Sequence, residues 1–294
     1  MHPDVFVTTK EQLVHVPTEV ELPQVPSIAK VTDFIRRNGH DPRLAQERAD
    51  LGRFAAGVFS TVGRELHVVA HIIGADRVEG RSPWGHGTDE TVGVSMILRI
   101  ASELVSASVD LFTDGRTYAA AALTRQLVEV EYLAWAFETR DEDAARWLRS
   151  DRDERNAFFK PAKLRQAAQG RFRGADYDYH CELGGHPIPR GAAALLGGEP
   201  GVGHLLLSDM LGHAGAVWDH AVGWARDKEH GGPVLARSQE MSLRFLAWKS
   251  RDPLLALPPS PTSQPDPPAG AHTRSSRTRS SRTRRARNRP GRRR

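Results

Sequence analysis

The residues best equipped for chemistry form three groups. The first is Arg125-Gln126-Leu127-Val128-Glu129-Val130-Glu131-Tyr132. Arg125, Glu129 and Tyr132 stand at i, i+4 and i+7, so a helix places a cation, a carboxylate and a phenol on one face. Leu123, Leu127, Val130 and Ala134 make an apolar stripe beside them. Such a triplet is either a solvated boundary pair or a partly buried Arg–Glu pair that positions a polar centre.

The second group is Tyr177-Asp178-Tyr179-His180-Cys181-Glu182-Leu183-Gly184-Gly185-His186-Pro187. Two phenols, two imidazoles, a thiol and two acids share these eleven residues. The proline holds His186 extended. There its ring can cap a helix end, bond to the Arg/Glu pair or carry a proton. His180 and Cys181 look like a nucleophile pair, but neighbours on a helix point about 100° apart, which favours a structural cysteine. The third group is Asp209, His213 and His220, at offsets of four and seven. Asp209 and His213 can share a metal. His213 and His220 stand about 10 Å apart along a helix, too far for one ion. There is no His-Glu-x-x-His, no cysteine cluster, no phosphate-binding Gly-Lys loop and no Gly-x-Ser-x-Gly elbow. No metal and no cofactor are expected.

The elements that must position these groups are helical. Pro3, Pro17, Pro23 and Pro26 make residues 1–26 an extended arm. A helix follows from Ser27 to Gly39. Asp41-Pro42 starts a long one, whose stripe runs Leu44, Leu51, Phe54, Val58, Val62, Leu66, Val69, Ile73 toward Gly74. Further helices are predicted from Thr88 or Asp89 to Asp114, with Gly115 as stop, and from Thr117 to Glu138. One more runs from a cap at Asp141 to Phe159, and another from Pro161 to Gly170. Tyr177–Leu183 forms a turn or two, and Ala192–Leu196 a small piece. Val202–Lys228 and Val234–Arg251 complete the set. The fold class is all-α, a bundle of about eight helices over residues 27–252, with no convincing strand alternation.

The order Leu123-Thr124-Arg125…Glu129, then Ala145-Arg146-Trp147-Leu148, then Tyr179…His186-Pro187 resembles an uncharacterised family of helical bacterial proteins of unknown function. Its members carry an Arg-x-x-x-Glu helix, an Arg-Ala-x-x-Phe helix and a Tyr-x-x-x-Ser-x-x-x-His-Pro element. This chain has Leu183 in place of the small hydroxyl residue and one residue fewer before the histidine. The family is similar in outline to HEPN (higher eukaryote and prokaryote nucleotide-binding) domains, many of them RNases of toxin and defence systems. The resemblance covers about residues 90–230 and implies Arg125, Glu129, Tyr179 and His186 as site residues. It also implies a metal-independent RNase as one function, with a histidine as general base and an arginine stabilising phosphate charge. The HEPN signature, Arg followed after four to six residues by His, occurs at Arg64–His71, Arg81–His86 and Arg173–His180. With 24 Arg in residues 1–271 and 13 His, about 3.5 such pairs arise by chance, so only Arg64–His71, inside a predicted helix, keeps interest.

Charge separates the chain in two. The net charge is +5, yet residues 272–294 hold eleven Arg and no acid, which leaves residues 1–271 at −6. Residues 253–294, Pro-rich and then Arg-rich, cannot offset the entropy of ordering and are expected to be disordered. Ser275–Arg279 repeats unchanged as Ser280–Arg284. The basic stretch Arg274–Arg294 fits nucleic acid; a protein partner or self-association suits the helical body, and no membrane is expected. Cys181 is the only cysteine, no secretory signal stands at the start, and a bilayer-length apolar run is not apparent, so a cytoplasmic location is expected. A non-catalytic interaction or nucleic-acid-associated module is the first reading and the RNase the second.

Overall fold

The structure, a computed structural model, describes residues 41–74, 88–140, 142–192 and 202–255, without the side chains of residues 42, 71–74 and 190. The arm at 1–26, the helix at 27–39, the loop at 75–87, most of the piece at 192–196 and the tail from 256 lie outside these residues. Everything described belongs to one compact unit.

Four long helices and a closing fifth build the body. They are α1 (Pro42–Gly74), α2 (Asp89–Thr113), α3 (Thr117–Thr139), α9 (Val202–Arg226) and α10 (Gly232–Arg251). Between α3 and α9 run short elements: α4 (Asp143–Arg149), α5 (Arg152–Glu154), α6 (Pro161–Ala167), α7 (Gly174–His180) and α8 (Pro189–Ala192). Two π-helical turns, Arg155–Phe159 and Cys181–Gly185, extend α5 and α7. No strand occurs among the described residues, so the all-α reading holds.

Local signals set the helix ends. The Asp41 carboxylate accepts the Arg43 N–H at 2.9 Å, and Pro42 opens α1. Gly115 follows α2 at φ +73°, a left-handed turn that reverses the chain into α3. One expected helix divides: Ser150 turns extended after α4, and Asp151 caps the restart by accepting the Glu154 N–H at 2.8 Å.

The α1 stripe faces the core, where Leu51, Val58, Val62 and Leu66 are buried with Ala55 and Phe59. Phe59 meets Trp218 of α9 at 5.9 Å between ring centres. Register fixes direction. Ser95 and Ser102 of α2 donate to the carbonyls of Gly63 and Ala56, each at 2.8 Å, so α1 and α2 are antiparallel. Glu131 and Glu138 of α3 pair with His213 and His220 of α9, so these two helices run parallel. The segment 140–201 spans that parallel connection.

Among the described residues one helix, α2, is long and apolar enough to cross a bilayer, contrary to the expectation that no such run exists. It is a core helix: 61% of its most apolar window is buried, between α1, α3 and α9.

The bundle is closed by one buried ion pair. Arg48 of α1 donates through Nε and Nη2 to the two carboxylate oxygens of Asp252, both at 2.7 Å, and each side chain is 1% exposed. Trp248 Nε1 (2.7 Å), Ser208 Oγ (3.4 Å) and the Leu254 N–H (3.0 Å) also donate to that carboxylate.

Candidate functional site

The short helix α7 sits on α3 because Gly184 lets it. A Cβ on Gly184 would stand 2.3 Å from the backbone nitrogen of Ala122, a distance no side chain tolerates. Gly185 likewise brings its backbone against the Arg125 stem, where a Cβ would lie 2.9 Å from Cδ. The π turn Cys181–Gly185 provides this approach. It aims α7 so that Tyr177 and Cys181 face α3, while Asp176 and His180 turn toward α9. Each pair is spaced i, i+4, and π turns of this kind recur at functional sites.

The α3 side is a closed hydrogen-bonded ring. Arg125 Nη2 lies 2.8 Å from Glu129 Oε1 and donates to the Tyr177 hydroxyl at 2.9 Å. Tyr177 donates in turn to Glu129 Oε1 at 2.8 Å, and Arg125 Nε donates to Cys181 Sγ at 3.4 Å. Burial, and then the bond to Glu129, push the Tyr177 phenol up to about 12, so it stays a donor. Burial works against the Arg125 charge, but Cys181 and Glu129 outweigh it and raise the group above its ordinary value. Tyr132 points elsewhere on α3, meeting the tilted Phe172 ring at 4.2 Å and that of Tyr177 at 6.0 Å between centres. Arg165 covers Tyr177 at 4.3 Å from the ring centre.

Of the three roles open to His186, a bond to the Arg125/Glu129 pair is not the one found, and another residue takes that place. It is Tyr177, two residues before Tyr179 and nine before His186. The His186 side chain is exposed and makes no hydrogen bond or ion pair with either residue; its carbonyl accepts from Tyr118 at 3.3 Å. The Gly185 backbone fills the space beside Arg125, so the extended residue after it points outward. Tyr179 is half-buried and edges against His180 at 5.5 Å. Of the weaker pair, Arg64 is exposed on α1, and the His71 side chain lies outside the described residues.

On the α9 side the Asp209–His213 pair singled out in the sequence is joined by His180, Asp176 and Glu131, whose convergence no spacing announced. His180 is 2% exposed, and its Nε2 lies 3.1 Å from His213 Nε2. His213 Nδ1 meets Glu131 Oε2 at 2.6 Å. Asp209 Oδ2 is 3.5 Å from His180 Nε2, and Asp209 Oδ1 is 3.9 Å from His213 Nε2. A carboxylate oxygen of Asp176 lies within 4.8 Å of a ring nitrogen of each histidine. Burial holds the His180 ring below its ordinary value against the pull of Asp209. Burial also opposes charge on His213, but the Glu131 bond and the Asp209 carboxylate overcome it and lift the ring to about 9. Asp209 is raised by burial, in spite of both histidines. His180 and Cys181 face different helices, so they are not a nucleophile pair.

Seven residues along, His220 Nδ1 meets Glu138 Oε2 at 2.5 Å. The signal for both contacts was present: Glu131/Glu138 and His213/His220 share the same seven-residue spacing. Fold and site together define an all-α bundle flanked by a polar centre at the α3–α7–α9 junction. No protein-family model matches the chain, and neither a curated protein nor a solved structure is similar to it.

Proposed function

We propose that the protein is a non-catalytic helical binding module that associates with nucleic acid through Arg274–Arg294, its bundle serving as scaffold. The observation that carries this reading is the charge division: eleven Arg without an acid in residues 272–294, against a net −6 in residues 1–271. Phosphate contacts fall to the basic stretch, which has no aromatic residue to stack on bases, so the binding has no sequence preference. The Arg125 ring adds support. The arginine that the family resemblance offers for phosphate charge is engaged by Glu129, Tyr177 and Cys181. A cytoplasmic setting and a distant kinship with HEPN domains belong to the same reading.

The test compares the full chain with a variant lacking residues 258–294, measuring RNA and DNA binding at low and moderate salt. The full chain is expected to bind both, losing affinity steeply as salt rises, and the truncated chain to bind neither. Equal affinity and equal salt slope for the two would overturn the assignment to the basic stretch. Cleavage of the RNA in the presence of a chelator, abolished by Arg125→Ala, would replace this reading with the metal-independent RNase.

A further inference from the structure

The α9 side of the junction holds a donor set that the binding reading does not use. From its geometry we infer that Asp176, His180 and His213, with Asp209 at the fourth position, bind a divalent transition metal of the Zn2+ class. Zinc takes imidazole nitrogen at about 2.0–2.1 Å and carboxylate oxygen at about 2.0–2.2 Å. Tetrahedral geometry then puts neighbouring donors about 3.3–3.5 Å apart. The two Nε2 atoms, 3.1 Å apart, stand close to that edge, and the Asp209 carboxylate spans both rings, with Oδ2 3.5 Å from His180 Nε2 and Oδ1 3.9 Å from His213 Nε2. Asp176 completes the set within 4.8 Å.

A bare histidine–histidine hydrogen bond accounts for the 3.1 Å contact alone. It does not account for two carboxylates converging on the same pair of nitrogens. Nor does it account for Asp209 Oδ2, which is buried and accepts no hydrogen bond. Glu131 supplies the outer support such sites use. By accepting at His213 Nδ1 it fixes the ring and presents Nε2 to the ion. Two imidazoles with carboxylates select borderline divalent metals over Mg2+ or Ca2+, which prefer all-oxygen shells. The ligands come from α7 and α9, so the ion ties the short helices of the 140–201 segment to the bundle. His220 and Glu138 provide an internal control: the same pair, but with no second histidine bonded to it among the described residues.

The experiment uses the full chain without a histidine tag, stripped with chelator. Zn2+ is titrated calorimetrically, and Co2+ is used as a spectroscopic probe. Expected are one equivalent of Zn2+, four-coordinate ligand-field bands with Co2+, and a rise in Tm with Zn2+. His213→Ala should abolish binding. Glu131→Gln should weaken it about 10–100-fold. Asp176→Asn, an isosteric change at a half-buried position, should weaken it at least about 10-fold, and His220→Ala should leave it unchanged. Failure of the wild-type chain to bind Zn2+ saturably overturns the proposal. So does wild-type affinity in both Asp176→Asn and His213→Ala.

Discussion

Replacing Asp252 by Ala removes the acceptor of a bidentate bond from Arg48 across 204 residues of sequence. The carboxylate also takes the Trp248 indole N–H, the Ser208 hydroxyl and the Leu254 amide, so the variant strands a buried guanidinium and three buried donors. Breaking one side of a buried pair costs about 3–5 kcal/mol. At about 2–4 °C per kcal/mol for a body of this size, Tm should fall by about 6–20 °C. Burial tends to raise the Asp252 carboxyl, but the bonds from Arg48 and the Leu254 amide, with the Arg48 charge, hold it below its ordinary 3.8. Its contribution is therefore complete above that value and is lost as pH falls through the lower folded-state value. Urea unfolding of wild type and Asp252→Ala from pH 7 down to pH 2 reads both effects. The gap should be widest near neutrality and should close in acid. Arg48→Met combined with Asp252→Ala should recover part of the loss, since no charge is then stranded. A Tm within about 2 °C of wild type, or single-variant losses that simply add, would refute the closure role.

Glu129→Ala should cost about 1–2 kcal/mol rather than the larger penalty of a buried pair, because Arg125 is 27% and Glu129 32% exposed; denaturant unfolding checks it, and a loss above about 4 kcal/mol would show a drier site. Tyr177→Phe keeps the ring against Tyr132 and Arg165 but removes the bridging hydroxyl, so a loss of about 1–2 kcal/mol is expected, and none would argue that Arg125 and Glu129 suffice alone. Gly184→Ala drives a Cβ into the α3 backbone and should release α7, seen as faster amide exchange over residues 174–185; unchanged protection there would count against this seating.

The helical architecture was legible because its signals are local. The α1 stripe, the Asp41-Pro42 start and the Gly115 stop each lie within a few residues of what they control. The break at Ser150 was missed because the competing signal, Asp151 capping the Glu154 amide, sits inside a stretch that otherwise reads as continuous helix. Asp252 was invisible for the opposite reason: its partner is 204 residues away, and no spacing rule links them. The Arg125–Glu129 pair follows from its i, i+4 spacing, but that spacing does not say which residue of the Tyr177–Pro187 stretch joins it. The π turn decides that point. It inserts an extra residue into the turn after His180 and directs Tyr177, not His186, back toward α3.

The two His–Glu contacts between α3 and α9 show what the intervening segment adds. Parallel helices seven residues in register offer the same pair twice, at Glu131–His213 and Glu138–His220. At the second rung the helices pack directly: a Cβ on Gly223 would stand 1.9 Å from Glu138 Oε1, so the missing side chain leaves room for the carboxylate. At the first rung α7 intrudes and delivers His180 and Asp176 to the free nitrogen of His213. Sequence periodicity alone makes the rungs equivalent. The glycine-seated turn of α7 makes them different, turning a buried hydrogen bond between helices into a convergence of two imidazoles and two carboxylates. The chemical identity of this junction therefore resides in the 174–185 segment, and grafting changes onto α3 or α9 alone should alter stability without reproducing the site.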